Sequence, residues 1–398
     1  MYTLYGDGIH DDTPAIQELL DSGMSLVELP APKAHYCISQ TLKIHSGQTL
    51  RLGETTVIKL MAGSNCYMLT NAERPAHDIT VIGGIWDYNN LEQLGNRAIV
   101  DPAWWKAVSH FDGDPEKKVT YDTLDFIGVI MRFQHLTCLS IHDLTLKDPA
   151  AFSLQIAYTT YFTVENICFD QNLGNPIADM MDGIHIDGGC RFGTIRNVKG
   201  TCYDDMVALN ADDCYDGPIE DISIDGVFGE HSLRGVRLLS LRHPVKRISI
   251  RNVFGTFYQN AIGITYFYPR CGSRGKLEHI SISNVFPAHA PRRPEYHKPA
   301  NYKFSHIWVD RTLDIDSISI DNLHCRETLG ETPLIKVCSD TNIRNLSISN
   351  VTWENEVGTP LPLMQNLGNI ERLCLYNADP GEDQLLDNKG TIGRLTEI

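Results

Sequence analysis

The sequence has no excess of basic residues: 34 Lys and Arg stand against 50 Asp and Glu, a formal charge of −16. A nucleic acid partner needs a basic footprint, so none is expected. No apolar run is long enough to span a bilayer, and no membrane partner is expected either. The 11 Cys form neither CxxC pairs nor His/Cys metal spacings. Scattered Cys such as Cys37, Cys66, Cys138, Cys168, Cys190 and Cys202 read as small buried hydrophobes. Their odd number fits a reducing compartment better than a disulfide framework. The opening MYTLYGDGIHDD has no basic n-region, apolar h-region or small-residue cleavage site, so the expectation is a cytoplasmic protein. Nothing in the spacing calls for a metal or another cofactor.

What the sequence does have is a repeat. An apolar–Ser/Thr–apolar phrase followed by x-Asn/Gly-apolar returns along most of the chain. It reads LSIHDL at 139–144, FTVENI at 162–167, GTIRNV at 193–198, DISIDGV at 221–227 and RISIRNV at 247–253. It continues as HISISNV at 279–285, SISIDNL at 317–323 and LSISNV at 346–351, with RLCLYNA at 372–378 as a worn last copy. The Ser/Thr positions fall 23, 31, 29, 26, 32, 38 and 28 residues apart, within the range of solenoids. A leucine-rich repeat would need a fixed LxxLxL frame, and helical repeats a 3.6-residue period; ISI and LSI alternate with period two. The Asn or Gly after each strand suits a turn in the left-handed region. At 398 residues, 42% apolar and 21% charged, the chain can fill one elongated core. The expected fold is all-β: a right-handed parallel β-helix, a single domain over 1–398.

Solenoid ends need covers. Within 1–24, GDGIHDDTPAIQELLDSG supplies one, a helix over 14–21 capped by Thr13, with Pro14 first and Gly23 as its stop. The stretch 89–125 breaks the repeat and is expected as an inserted loop beside a groove.

The opening GDGIHDDTPAIQ resembles that of many pectate-lyase-like β-helix proteins. MMDGIHIDGGCRFGTIRNVKGTCYDDMVALNADD at 180–213 resembles the catalytic region of glycoside hydrolase family 28, the polygalacturonases. In that family Asn-Thr-Asp-Gly is followed one coil later by an Asp-Asp-Cys-Ile-Ala-Leu segment. Asp182 takes the place of the first Asp, and Asp204 and Asp205 take those of the pair. The resemblance implies that Asp204 is the general acid and that Asp182 and Asp205 hold the attacking water. Inverting hydrolysis needs an acid and a base carboxylate roughly 6.5–9.5 Å apart with water between them. Taken singly, each Asp reads as a turn residue outside a solenoid; Asp212 and Asp213 are left as such.

The sequence departs from the family where substrate is gripped. The family's Gly-His-Gly and Arg-Ile-Lys phrases are replaced by FGEHSLRGVRLLS at 228–240 and QNAIGITYFYP at 259–269, and Met180 stands where Asn is expected. The family His position falls on or near Arg234, with His231 in a small insertion before it. Substrate-binding candidates are therefore His231, Arg234, Arg237, Tyr266 and Trp104, with Arg242, Trp105 and Tyr268 beside them. His185, on the strand of Asp182, reads as a structural histidine.

The leading expectation is an enzyme: a metal-independent, inverting glycoside hydrolase acting on pectic or related oligo- or polysaccharides. One rival is a polysaccharide lyase that uses Arg237 or His231 as base and Ca²⁺ held by Asp clusters. Another is a non-catalytic carbohydrate-binding or tailspike-like β-helix.

Overall fold

The computed structural model describes residues 2–95, 128–172, 181–266, 272–293 and 302–397. Apart from the helix Thr13–Leu20 and one 3-10 turn, regular structure among them is β-strand. Every paired strand among the described residues runs parallel to its neighbour, from Leu26–Glu28 to Thr391–Glu397. The partner of each strand lies about one repeat further along the chain. That is the pairing of a parallel β-helix, with coils stacked about 4.8 Å apart.

The Ser/Thr of the repeated phrase marks the register. Ser140 pairs Thr163, which pairs Thr194, Ser223, Ser249, Ser281, Ser319 and Ser347 in turn. The worn copy joins with Cys374 opposite Ser347, and Thr80 extends the column before Ser140. One position on, Ile141, Val164, Ile195, Ile224, Ile250, Ile282, Ile320 and Ile348 stack inside the coil, all at most 2% exposed. Period two sends these inward and the Ser/Thr column outward. Each such side chain contributes about 1.5–3 kcal/mol of burial.

Corners are turned at left-handed residues. Asp143, Asn166, Asn197, Asn252, Asn284, Asn322, Asn350 and Asn377 all have φ between 48° and 61°. Asn is one of the few side chains that tolerates this region. Its amide also bonds along the stack: Asn284 Nδ2 donates to Asn252 Oδ1 at 3.0 Å, and Asn322 Nδ2 to Asn284 Oδ1 at 2.8 Å. On the outside of the following strand, Phe228, Phe254 and Phe286 stack with centroids 5.4 and 5.1 Å apart.

The N-terminal helix lays Ile16 and Leu20 on the first coils, both fully buried. Its cap differs from the sequence reading. Asp12 occupies the N-cap position, Thr13 is the first helical residue and Asp21 closes the helix. The Asp12 carboxylate turns away from the helix and accepts the N–H groups of Tyr5, Gly6 and Cys37, tying the opening segment to the first coil. Of the interrupting stretch, the part beyond Gly95 lies outside the described residues, as do Trp104, Trp105 and Tyr268. None of the described helices is long and apolar enough to cross a membrane.

Candidate functional site

One face of the coil is built from Leu154 onward by short strands at Ile184–Asp187 and Asp205–Asn210 and by the last residues of Ile219–Leu239 and Val245–Thr265. Register places Asp205 opposite Arg234 and Asn260, and Ala208 opposite Arg237 and Gly263. Asp182, two residues before Ile184, falls level with Asp205, two before Val207. The site therefore follows from stacking: residues 23–30 apart in sequence become neighbours a coil apart. Gly183 makes this possible, because a Cβ there would sit 2.6 Å from the Met206 carbonyl oxygen and from the Phe169 ring.

Asp182, Asp204 and Asp205 come together, with one oxygen from each within 4.8 Å of the others. Arg234 links two of them. Its Nη1 donates to Asp204 Oδ1 at 2.8 Å and to Asp205 Oδ1 at 2.9 Å, drawing the two carboxylates onto one cation. Arg237 stands behind, its Nη1 3.4 Å from Asp205 Oδ2 and its Nε donating to Thr265 Oγ1 at 3.2 Å. The Asp205 backbone N–H donates to Asp182 Oδ1 at 3.0 Å. Asp182 and Asp205 are buried; Asp204 keeps 14% of its side chain exposed.

The environments of the three acids differ. Burial, reinforced by the charges of Asp205 and Asp204, pushes the Asp182 carboxyl up to about 7, against the pull of a hydrogen bond from His185. Asp204 and Asp205 instead face the Arg234 guanidinium. A carboxyl that holds its proton near neutrality is one that can serve as an acid.

His185 belongs to this site, where the sequence reading left it structural. Its Nδ1 lies 2.6 Å from Asp182 Oδ2 and its Nε2 3.3 Å from Asp187 Oδ1. The signal was present in Asp-Gly-Ile-His-Ile-Asp: positions 185 and 187 share the outward side of one strand, and Asp182 precedes it at a turn. Asp213, read as a turn residue, comes within 4.0 Å of the same ring. Asp212 is the turn residue it was taken for, accepting the N–H groups of Leu241, Arg242 and His243.

Other candidates lie elsewhere. Tyr266 is a core residue, 3% exposed, and its phenol donates to the Ser273 carbonyl; the apolar interior takes the ring and a turn takes its hydroxyl. His231 sits at a left-handed residue where the strand register shifts, bonded through its N–H to Thr256 Oγ1. That irregularity is the small insertion expected before Arg234. Arg242 pairs with Asp216 at 3.1 Å.

Among the described residues, three groups bring possible metal donors within 4.8 Å: the three Asp, His185 with Asp187 and Cys214, and His289 with His306 and Glu327. In the first, Arg234 supplies the positive charge that a cation would bring. In the third, His289 Nδ1 lies 2.5 Å and His306 Nε2 2.9 Å from Glu327 Oε2, while Glu327 Oε1 accepts three backbone N–H groups. That group is internally paired as a buried His–carboxylate cluster.

Neither a protein-family model nor a curated protein matches this sequence. Solved structures do match in fold. A family 28 exopolygalacturonase of Yersinia enterocolitica superposes with a TM-score of 0.54 at 11% identity, covering 99% of this chain and 76% of that one. The A-module of the mannuronan C-5 epimerase AlgE6 of Azotobacter vinelandii gives 0.60 at 10% identity, covering 100% and 96%. The Streptococcus pneumoniae surface adhesin PfbA gives 0.54 at 16% identity, covering 98% and 93%. At such identities the likeness is one of fold, and it spans a hydrolase, an epimerase and an adhesin. Fold leaves the reaction open, and the site has to argue for it.

Proposed function

We propose that this chain is a glycoside hydrolase acting on a pectic or related oligo- or polysaccharide, with Asp182, Asp204 and Asp205 as its acid–base machinery. One observation carries the reading: three carboxyl groups from two consecutive coils converge on the outward side of one face, one buried beside His185 and two on the Arg234 guanidinium. A binding-only solenoid has no need of a buried carboxyl poised near neutrality.

The environments favour an allocation that differs from the one implied by the family resemblance. Asp182 is the proton donor, because burial keeps its neutral form populated at neutral pH. Asp204, the most exposed of the three and bonded to Arg234, is the carboxylate that meets water or the sugar. Hydrolysis with inversion needs a water held between the acid and the base carboxylate. Arg237, paired with Asp205 and Thr265, adds a second guanidinium behind the carboxylates. The substrate class rests on the resemblance around Asp182, Asp204 and Asp205, and the missing Arg-Ile-Lys strand sets this chain apart in how it would grip a uronate.

The test is a panel of defined pectic and related oligosaccharides, with products resolved by chromatography and ultraviolet absorbance followed in parallel. Saturated reducing-end products lost in Asp182→Asn support hydrolysis. Absorbance from an unsaturated sugar, or binding of the panel without turnover, overturns it.

A further inference from the structure

We propose that His185 is the positioning residue of this site: clamped between Asp187 and Asp182, its imidazolium aims the Asp182 carboxyl and supplies the positive charge behind it. This rests on the acid–base reading of Asp182.

The geometry begins at Asp187. Its Oδ1 accepts the backbone N–H groups of Cys214 at 3.1 Å and Tyr215 at 3.2 Å, and its Oδ2 accepts Gln155 Nε2 at 2.8 Å. An acceptor pinned by three donors and wholly buried is a rigid anchor. His185 Nε2 faces that anchor at 3.3 Å, and Nδ1 reaches Asp182 Oδ2 at 2.6 Å. The Phe152 ring stacks on the imidazole with centroids 3.9 Å apart and planes 19° from parallel, which removes the remaining rotational freedom.

Protonation follows from the neighbours. The charged or titratable groups facing the ring are Asp182, Asp187 and Asp213, with the Cys214 thiol beside them. Asn210 Nδ2 lies 3.5 Å from Nε2 and also donates to Asp213 Oδ2 at 3.2 Å. The ring thus lies between two Asp side chains, Nδ1 bonded to Asp182 and Nε2 within 3.3 Å of Asp187. The nearby carboxylates hold it well above the usual histidine range, although burial works the other way.

The consequence falls on Asp182. Its Oδ1 is fixed by the Asp205 N–H, so the direction of the carboxyl is decided by what holds Oδ2, and that is His185. His185 is 1% exposed, so it acts through Asp182. A nearby cation lowers a carboxyl by about 1–3 pH units. Without it, burial and the charges of Asp204 and Asp205 would carry Asp182 further above 7.

His185→Asn tests this, since Asn keeps an N–H near the Nδ1 position and loses the charge. Carboxyl-carbon NMR titration of the full chain, with the Asp182 signal assigned through Asp182→Asn, reads the effect without any substrate. The Asp182 titration should move up by about 1–3 pH units in His185→Asn, and the alkaline limb of kcat/KM should move with it. Asp187→Asn, which keeps the imidazole and loosens its anchor, should shift both in the same direction by less. His185→Ala, lacking both charge and donor, should also lose turnover across the pH range, with partial recovery in His185→Asn. An unmoved Asp182 titration in both His185→Asn and Asp187→Asn overturns the proposal, as does a turnover loss that only tracks the fraction unfolded. Full turnover in Asp182→Asn would instead remove the acid–base reading, while the titration still reports on His185.

Discussion

Arg234 lies one coil along from Asp205 on the same face, its Nη1 2.9 Å from Asp205 Oδ1, and both residues are buried. The same nitrogen holds Asp204, so two carboxyl groups share one guanidinium. Removing one partner of a buried ion pair strands the other, at about 3–5 kcal/mol. Arg234→Ala is expected to lower stability by about that amount in urea unfolding monitored by circular dichroism. Arg234→Lys should recover part of the loss, because a single ammonium cannot reproduce the fork. A variant as stable as the parent would mean that the pair carries no weight.

Asp182 makes a different kind of claim, about pH. Its folded-state carboxyl is raised from 3.8 to about 7, so the folded chain binds that proton more tightly than the unfolded one. Such a group contributes stability that is fully present below about pH 4 and lost as pH rises through about 7. Asp182→Asn has no proton to lose. The melting temperature of Asp182→Asn minus that of the parent should therefore climb between pH 4 and pH 8. A flat difference across that window would show that the group is not raised.

Much of the fold was legible because its signal is local and repeated. Ser140 through Ser347 fall in one column since each sits between two apolar residues that must turn inward, and period two leaves no other choice. The three Asp were legible through their family resemblance and their lead into apolar strands. His185 was not, because its role depends on Asp187 two residues on and on Phe152, a coil earlier. Arg234 was read as a site for substrate charge, yet it is spent on Asp204 and Asp205. Tyr266 was misread because an aromatic residue at a strand end looks the same whether it lines a groove or closes a core. Pairings between coils of unequal length are set by register, and register is a property of the stack.

The asparagine corners offer a test of the fold alone. Asn284 has φ of +56°, donates to Asn252 and accepts from Asn322. Asn284→Ala loses both hydrogen bonds, each about 0.5–1.5 kcal/mol, and puts a Cβ residue without a compensating amide in the left-handed region, about 1–2 kcal/mol. Asn284→Gly loses the same bonds and keeps an unstrained backbone. Urea unfolding should rank the parent above Asn284→Gly, and Asn284→Gly above Asn284→Ala. Equal stabilities for the two variants would mean that the corner is not held left-handed.

The acid–base site makes the most exacting prediction, because its members should fail in different ways. General acid–base assistance is worth about 10²–10⁴ in rate, so Asp182→Asn, Asp204→Asn and Asp205→Asn should each lower turnover by at least about 10² with melting profiles that remain cooperative. The proton donor is then identified by leaving group. An aryl glycoside with an acidic phenol needs little protonation, so the variant lacking the donor should recover most of its rate on that substrate. The variant lacking the carboxylate that activates water or attacks the sugar should not. The environments predict recovery in Asp182→Asn and none in Asp204→Asn. The opposite pattern would return the acid to Asp204, as the family resemblance implies, and would require bound substrate to draw Arg234 away from it. Near-parent turnover in all three variants on the natural substrate would leave the carboxylates without a catalytic part.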